Sequence, residues 1–137
     1  MYQLYRQSFR KHVATLLNLC GYDTEIRKIM IGRSGMKHKI DIVARKFEMP
    51  IEEIVLVKCK AKEESPSLRV DEVLILYVQV LDTIADHGLI VTTCEVPGDA
   101  AKFAEYYKMK IIQGANREEL QSAIFRGRVK QSSRVSV

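Results

Sequence analysis

Asp41 stands in an apolar run, Ile40-Asp41-Ile42-Val43-Ala44, and two lysines close a second, Val55-Leu56-Val57-Lys58-Cys59-Lys60. Both runs read as strands. Side chains two apart on a strand share a face, so Lys58 and Lys60 point one way while Val57 and Cys59 point the other. Two neighbouring ammonium groups repel unless water or an anion compensates them, and Asp41 on an adjacent strand is one such counter-charge. Phosphodiester hydrolysis uses parts of this kind. A carboxylate holds a hard divalent cation, and a lysine orients or deprotonates water and offsets the charge of the phosphorane. The same three residues also fit an ordinary ion pair at a sheet edge.

Strands need helices to cover them, and the chain supplies both. Tyr5, Phe9, Val13, Leu16 and Cys20 recur at steps of four, four, three and four, which makes an apolar helical stripe that Gly21 ends. Arg6 and Arg10 fall outside that stripe. Partial alternation from Tyr22 to Ile31 predicts a strand, and Gly32-Arg33-Ser34-Gly35 a turn. Strands follow over Lys39 to Arg45 and Ile54 to Lys60, joined near Met49-Pro50. Val70 to Asp86 contains no proline or glycine and is long enough for about four helical turns. It is apolar on more than one face: Val70, Leu74, Tyr77, Leu81 and Ile84 form one stripe, with Ile75, Leu76, Val78 and Val80 beside it. Such a helix must be covered on two sides, either within one chain or by a second copy in a homodimer. A strand at Leu89-Ile90-Val91, a helix from Pro97 to Lys108, a strand from Met109 to Ile112 and a helix from Arg117 to Phe125 complete the order α-β-β-β-α-β-α-β-α. That order predicts an α/β sandwich with helices covering a mixed central sheet.

With 137 residues, 47% of them hydrophobic, the chain fits one core. We expect a single domain over residues 1–125 and a basic, flexible tail over 126–137. Cys20, Cys59 and Cys94 match no metal-ligand spacing and sit among apolar neighbours, as reduced buried thiols do. No apolar run reaches the roughly 20 residues of a membrane span, and the first helix is amphipathic, so a soluble cytoplasmic protein is expected. The charge is uneven. Residues 1–46 carry ten Lys and Arg against three acids, residues 47–125 eight against fourteen, and the last twelve residues four against none. A cationic end suits a phosphate backbone, through counterion release, and equally a solvated basic surface.

Four segments in order, Ser8-Phe9 through Leu16-Leu17 to Gly21-Tyr22, Ser34-Gly35 leading to Ile40-Asp41-Ile42-Val43-Ala44, Leu56-Val57-Lys58-Cys59-Lys60, and Gly88-Leu89-Ile90-Val91-Thr92-Thr93, carry a resemblance. Together they resemble the PD-(D/E)XK nucleases, specifically the Mrr-type restriction endonuclease domain and, more distantly, archaeal Holliday-junction resolvases. The resemblance covers roughly residues 8–122. It implies a restriction-endonuclease-like fold, DNA as partner, and Mg²⁺ or Mn²⁺ as cofactor.

Carried over by position, the resemblance makes Asp41 the metal-binding aspartate and Lys60 the lysine that closes the motif, and gives the metal the backbone carbonyl of Cys59. Two positions depart from the pattern. Lys58 stands where the family has Glu or Gln, and Arg10 where many members have a glutamate on the first helix. A cation at position 58 would repel the ion, at several kcal/mol for about 4 Å and an effective dielectric near 20. Some members move the second acid to the following helix, which here makes Glu72 a third catalytic and metal residue, with Asp71 behind it. Both acids also suit a helix N-terminus on dipole grounds alone. Glu52 and Glu53, before the lysine strand, fit a solvated hairpin edge better.

The expectation is therefore a metal-dependent DNA endonuclease using Asp41, Lys60 and Glu72, of reduced activity because of Lys58 and Arg10. Arg6, Arg10, Lys11, Arg33, Lys37, Lys39 and Lys58 would face the nucleic acid. The alternative is a degenerate nuclease fold that binds nucleic acid without cutting it. His38, between Lys37 and Lys39, reads as an exposed basic-loop side chain; His12 lies on the first helix and His87 at a helix end. With few aromatic residues and no tryptophan, stacking of single strands has little support.

Overall fold

The computed structural model describes the backbone of residues 2–135 and the side chains of residues 5–127. Helix α1 (Tyr2–Leu19) leads into β1 (Asp23–Ile31), β2 (Lys37–Glu48) and β3 (Ile51–Lys60), followed by α2 (Val70–Thr83), β4 (His87–Thr92), α3 (Gly98–Tyr106), β5 (Lys110–Gln113) and α4 (Arg117–Val135). The expected order holds throughout. Helix α4 continues past Phe125, where the apolar periodicity ends, into the segment read as a tail; the side chains of 128–137, and the flexibility expected there, lie outside the described residues.

The sheet runs β1-β2-β3-β4-β5. β1, β2 and β3 pair antiparallel through short turns, while β3, β4 and β5 pair parallel, with α2 and α3 as the crossovers. One face packs on α1 and α4, where Phe9, Val13, Leu16 and Leu120 meet Ile42, Val57 and Val91. The other packs on α2 and α3, where Val73, Leu76, Ala100 and Ala104 meet Val43, Leu56 and Ile90. Strands covered on both faces lose their alternation and read as continuous apolar runs, which is why β3 and β4 stand out in the sequence.

Helix α2 turns Val73 and Leu76 onto the sheet, while Leu74, Ile75, Val78 and Leu81 remain about half exposed. Its outer face is therefore not covered by the described residues of the same chain. Tyr77 packs among Phe103 and Tyr107 at ring separations of 6.3 and 4.6 Å, tying α2 to α3.

A polar clasp fixes the far end of α2. Asp82 accepts hydrogen bonds from the Ser34 backbone N–H at 2.9 Å and the Ser34 hydroxyl at 2.6 Å, and its Oδ2 lies 2.7 Å from His38 Nε2. These partners, His38 first, hold the Asp82 carboxyl down to about 2. His38 is thus buried in β2 against Asp82, which corrects its reading as an exposed loop residue: strand alternation turns it inward while Lys37 and Lys39 turn out. Gly32 makes room for the clasp, since a Cβ there would stand 1.9 Å from Asp82 Oδ2.

The sheet opens at Asp41. Pairing of β2 with β3 runs from Glu48 opposite Ile51 to Ile42 opposite Val57 and stops there. On the other side, β1 pairs with β2 at Ile26–Ile42 and at Lys28–Ile40, but Arg27, opposite Asp41, adopts a left-handed φ of 56° and makes no pair. Ile40 and Ile42, two apart, pack into opposite helical layers. The strand rolls over at Asp41, and the side chain enters the gap between β2 and β3.

Candidate nucleic-acid site

In that gap Asp41 Oδ2 accepts the backbone N–H of Cys59 at 2.9 Å, a donor that strand pairing would otherwise satisfy. Asp41 Oδ1 accepts from Arg10 Nη1 of α1 at 3.3 Å, with both side chains mostly buried. One turn earlier on α1, Arg6 pairs with Glu64, whose other oxygen accepts the Ala61 N–H at 3.0 Å. Glu64 lies just past β3 and went unnoticed in the sequence because a Lys-Glu-Glu run after a strand reads as a solvated turn.

Lys58 and Lys60 converge on one acid. Lys60 Nζ donates to Glu72 Oε1, and Lys58 Nζ stands 3.9 Å from Glu72 Oε2. Glu72 lies in the first turn of α2, is 9% exposed, and also accepts the Arg69 N–H at 3.3 Å. It closes the helix end, as its place in the first turn predicted, and pairs with the lysine strand. The Cys59 side chain points into the opposite layer, where burial pushes its thiol well up, so only its backbone faces the gap.

The structure thus pairs Asp41 with Arg10 and the Cys59 backbone, Lys58 and Lys60 with Glu72, and Arg6 with Glu64. Lys37 and Lys39 stand exposed on β2 leading to Asp41, and Lys11 is exposed beside Arg10. Arg33 is carried away: its guanidinium donates to the Leu81 carbonyl at the end of α2. Asp71 faces outward with Arg69, at 3.1 Å. Glu52 pairs with Arg45 at 3.3 Å, Glu53 accepts the Tyr22 hydroxyl at 2.8 Å, and His87 lies 3.9 Å from Glu53, all toward the hairpin end of the sheet. His12 is half-buried on α1, its pKa lowered by burial and then by Arg117, and its Nε2 has no partner among the described residues.

The donor set does not fit a divalent cation. Both Asp41 oxygens and both Glu72 oxygens already face basic or N–H groups, and four cations, Arg6, Arg10, Lys58 and Lys60, meet three carboxylates. Among the described residues no three of His, Cys, Asp and Glu converge on one point. The buried atom left unsatisfied at the site is Arg10 Nε, a donor. An oxygen would satisfy it; a metal ion would not.

A mixed five-stranded sheet between two helical layers, parted at an aspartate that accepts the backbone N–H between the two lysines of the next strand, defines a restriction-endonuclease-like domain. Residues 1–124 match the Mrr_cat restriction endonuclease family, and the chain belongs to it, within the PD-(D/E)XK group that its motifs resemble. Three solved structures share the fold. AF1548, a protein of unknown function, is 24% identical with a TM-score of 0.66, over 87% of this chain and 65% of that one. The DNA modification-dependent restriction endonuclease AspBHI is 18% identical with a TM-score of 0.55, over 91% and 34%. The restriction endonuclease MspJI, in complex with a 27-mer oligonucleotide, is 14% identical with a TM-score of 0.56, over 87% and 26%. The chain spans less than two thirds of each of these neighbours. No curated protein matches the sequence. Among the described residues, no helix is long and apolar enough to cross a membrane.

Proposed function

We propose that this domain binds the phosphate backbone of DNA at the opening between β2 and β3, with basic side chains standing where the family's metal would be held. The observation that carries this reading is the Arg10–Asp41 pair at 3.3 Å, which commits the aspartate to a guanidinium and leaves Arg10 Nε in need of an acceptor oxygen. Lys58, one third exposed, offers its remaining donors to solvent, and Lys37 and Lys39 extend the cationic track along β2. The oligonucleotide bound to MspJI and the DNA named for AspBHI support DNA as the partner. A second copy is the proposed assembly, docking on the outer face of α2, where four half-exposed aliphatic side chains offer a contact that a buried interface needs.

A second reading, metal-dependent cleavage of DNA, is supported by one observation: Asp41 accepts the Cys59 N–H, and Lys60, the next residue in the chain, donates to Glu72. Mg²⁺ or Mn²⁺ would then have to displace Arg10 and draw Glu72 from the lysines. One experiment separates the two. Calorimetric titration of Mg²⁺ and Mn²⁺, run beside duplex binding at two salt concentrations and nicking of supercoiled DNA, is expected to show salt-sensitive binding without metal uptake or nicking. Metal uptake and nicking that both vanish in Asp41→Ala would establish the nuclease instead. Sedimentation of the same sample reads the dimer.

A further inference from the structure

A cavity lies beside this opening rather than in it. It measures about 710 Å³ and is lined by Tyr5, Ser8 and Phe9 of α1, the cation Lys62 and the carboxylate Glu63 just past β3, and Asn116 and Arg117 where α4 begins. That volume falls within the range of small-ligand sites, roughly 300–1,000 Å³. Its cations differ in kind from those at Asp41. Arg117 Nη1 donates to the Ser8 hydroxyl at 3.1 Å and its guanidinium lies 5.8 Å from the Phe9 ring centre. Lys62 Nζ donates to the Ala115 carbonyl at 2.7 Å. Neither forms an ion pair among the described residues, whereas Arg6, Arg10, Lys58 and Lys60 all face carboxylates. Two cations held on neutral acceptors, against the single lining carboxylate Glu63, leave the cavity a positive balance that an anion would match. The lining also holds Tyr5, an aromatic ring left 46% exposed.

We infer that this cavity takes one nucleotide unit, its phosphate between Lys62 and Arg117 and its base against the Tyr5 ring. Ser8 and Asn116 supply hydroxyl and amide groups within the same wall. An unpaired base alone can enter such a pocket, so the partner is a strand end, a gap or an unstacked nucleotide beside the duplex that the Asp41 opening faces; this deepens the backbone-binding reading and rests on it. Tyr5 and Phe9 sit one turn apart on the face of α1 next to Arg6 and Arg10, so the two surfaces are continuous.

The test is calorimetric titration of the full chain with a nucleoside monophosphate, the matching nucleoside and inorganic phosphate, followed by a short single strand and a blunt duplex. The expected result is binding of the monophosphate at least tenfold tighter than of nucleoside or phosphate, and roughly tenfold weaker in Lys62→Ala and in Tyr5→Ala. Both side chains are exposed, so these variants test the site without the packing that Arg117 makes on Phe9. A single strand that competes with the monophosphate assigns the site to nucleic acid; a monophosphate that binds without such competition assigns it to free nucleotides. Monophosphate affinity unmoved by either substitution overturns the inference. So does duplex binding with no monophosphate binding, which leaves the backbone reading intact; loss of both overturns both.

Discussion

If basic side chains have closed the metal position, removing them should open it. The double variant Arg10→Gln, Lys58→Glu takes two of the four cations from the site, those at the positions where the family has acids, while keeping Asp41, Lys60 and Glu72. Lys58 Nζ stands 3.9 Å from Glu72 Oε2, and a separation of about 4 Å serves as the scale for its repulsion of an ion that Glu72 would hold. At that range two unit charges interact by about 4 kcal/mol with an effective dielectric near 20, and a divalent ion doubles the repulsion. Lys58 is 33% exposed and can swing toward water, which cuts the figure to roughly 2–4 kcal/mol. Loss of Arg10 frees Asp41 Oδ1, whose pairing at 3.3 Å the ion would otherwise have to break. The double variant should therefore bind Mn²⁺ roughly 30- to 700-fold more tightly than the parent. Calorimetry reads the affinity, and far-ultraviolet circular dichroism confirms that the sheet is unchanged. The reasoning fails if the parent already binds Mn²⁺ in an Asp41-dependent way, or if the double variant gains nothing.

Two further outcomes follow from the same contacts. Asp41→Ala leaves Arg10 without its partner and the Cys59 N–H without an acceptor, and should cost roughly 2–4 kcal/mol in urea unfolding, while Asp41→Asn, which keeps the acceptor, should cost less. Asp82, held down to about 2 by His38 and Ser34 from an ordinary 3.8, contributes stability that is complete above pH 4 and lost as the pH falls toward 2. The Tm gap between parent and Asp82→Asn should thus close as the pH falls below 4; a gap that persists at pH 2 would refute the assignment.

The order of elements was legible because β3 and β4 are buried on both faces and the helices have regular apolar spacing. Element ends were less so: β2 extends to Lys37 and Glu48 because the hairpin pairs to its tip, which no local propensity dictates. His38 was misplaced because a histidine between lysines has no periodic signal of burial until its partner, 44 residues away, is known. The members of the charged site could be named from strand spacing and family pattern, but their pairing could not. Arg10 is 31 residues from Asp41, and Glu64 is 58 residues from Arg6. Tyr5, Lys62 and Arg117 carry no motif at all; only the meeting of α1, the turn after β3 and the start of α4 makes them neighbours.

Asp41 has a duty independent of chemistry. Where β2 and β3 part, the Cys59 N–H loses its strand partner, and a buried donor left alone would cost about 1–3 kcal/mol. Asp41 accepts that N–H at 2.9 Å and, being ionised, needs a cation in turn. A metal can supply that charge in one sequence and an arginine from α1 in another. The opening between the strands is thus stable with either, provided the carboxylate stays. An aspartate at this position therefore reports the geometry of the opening, and on the proposed reading the charge that faces it, here Arg10, selects an anion over a cation. Arg10→Ala alone distinguishes the two demands: it should lower DNA affinity and its salt dependence while costing stability, since the Asp41 charge is then uncompensated, and a variant as stable as the parent would show that solvent already supplies the counter-charge.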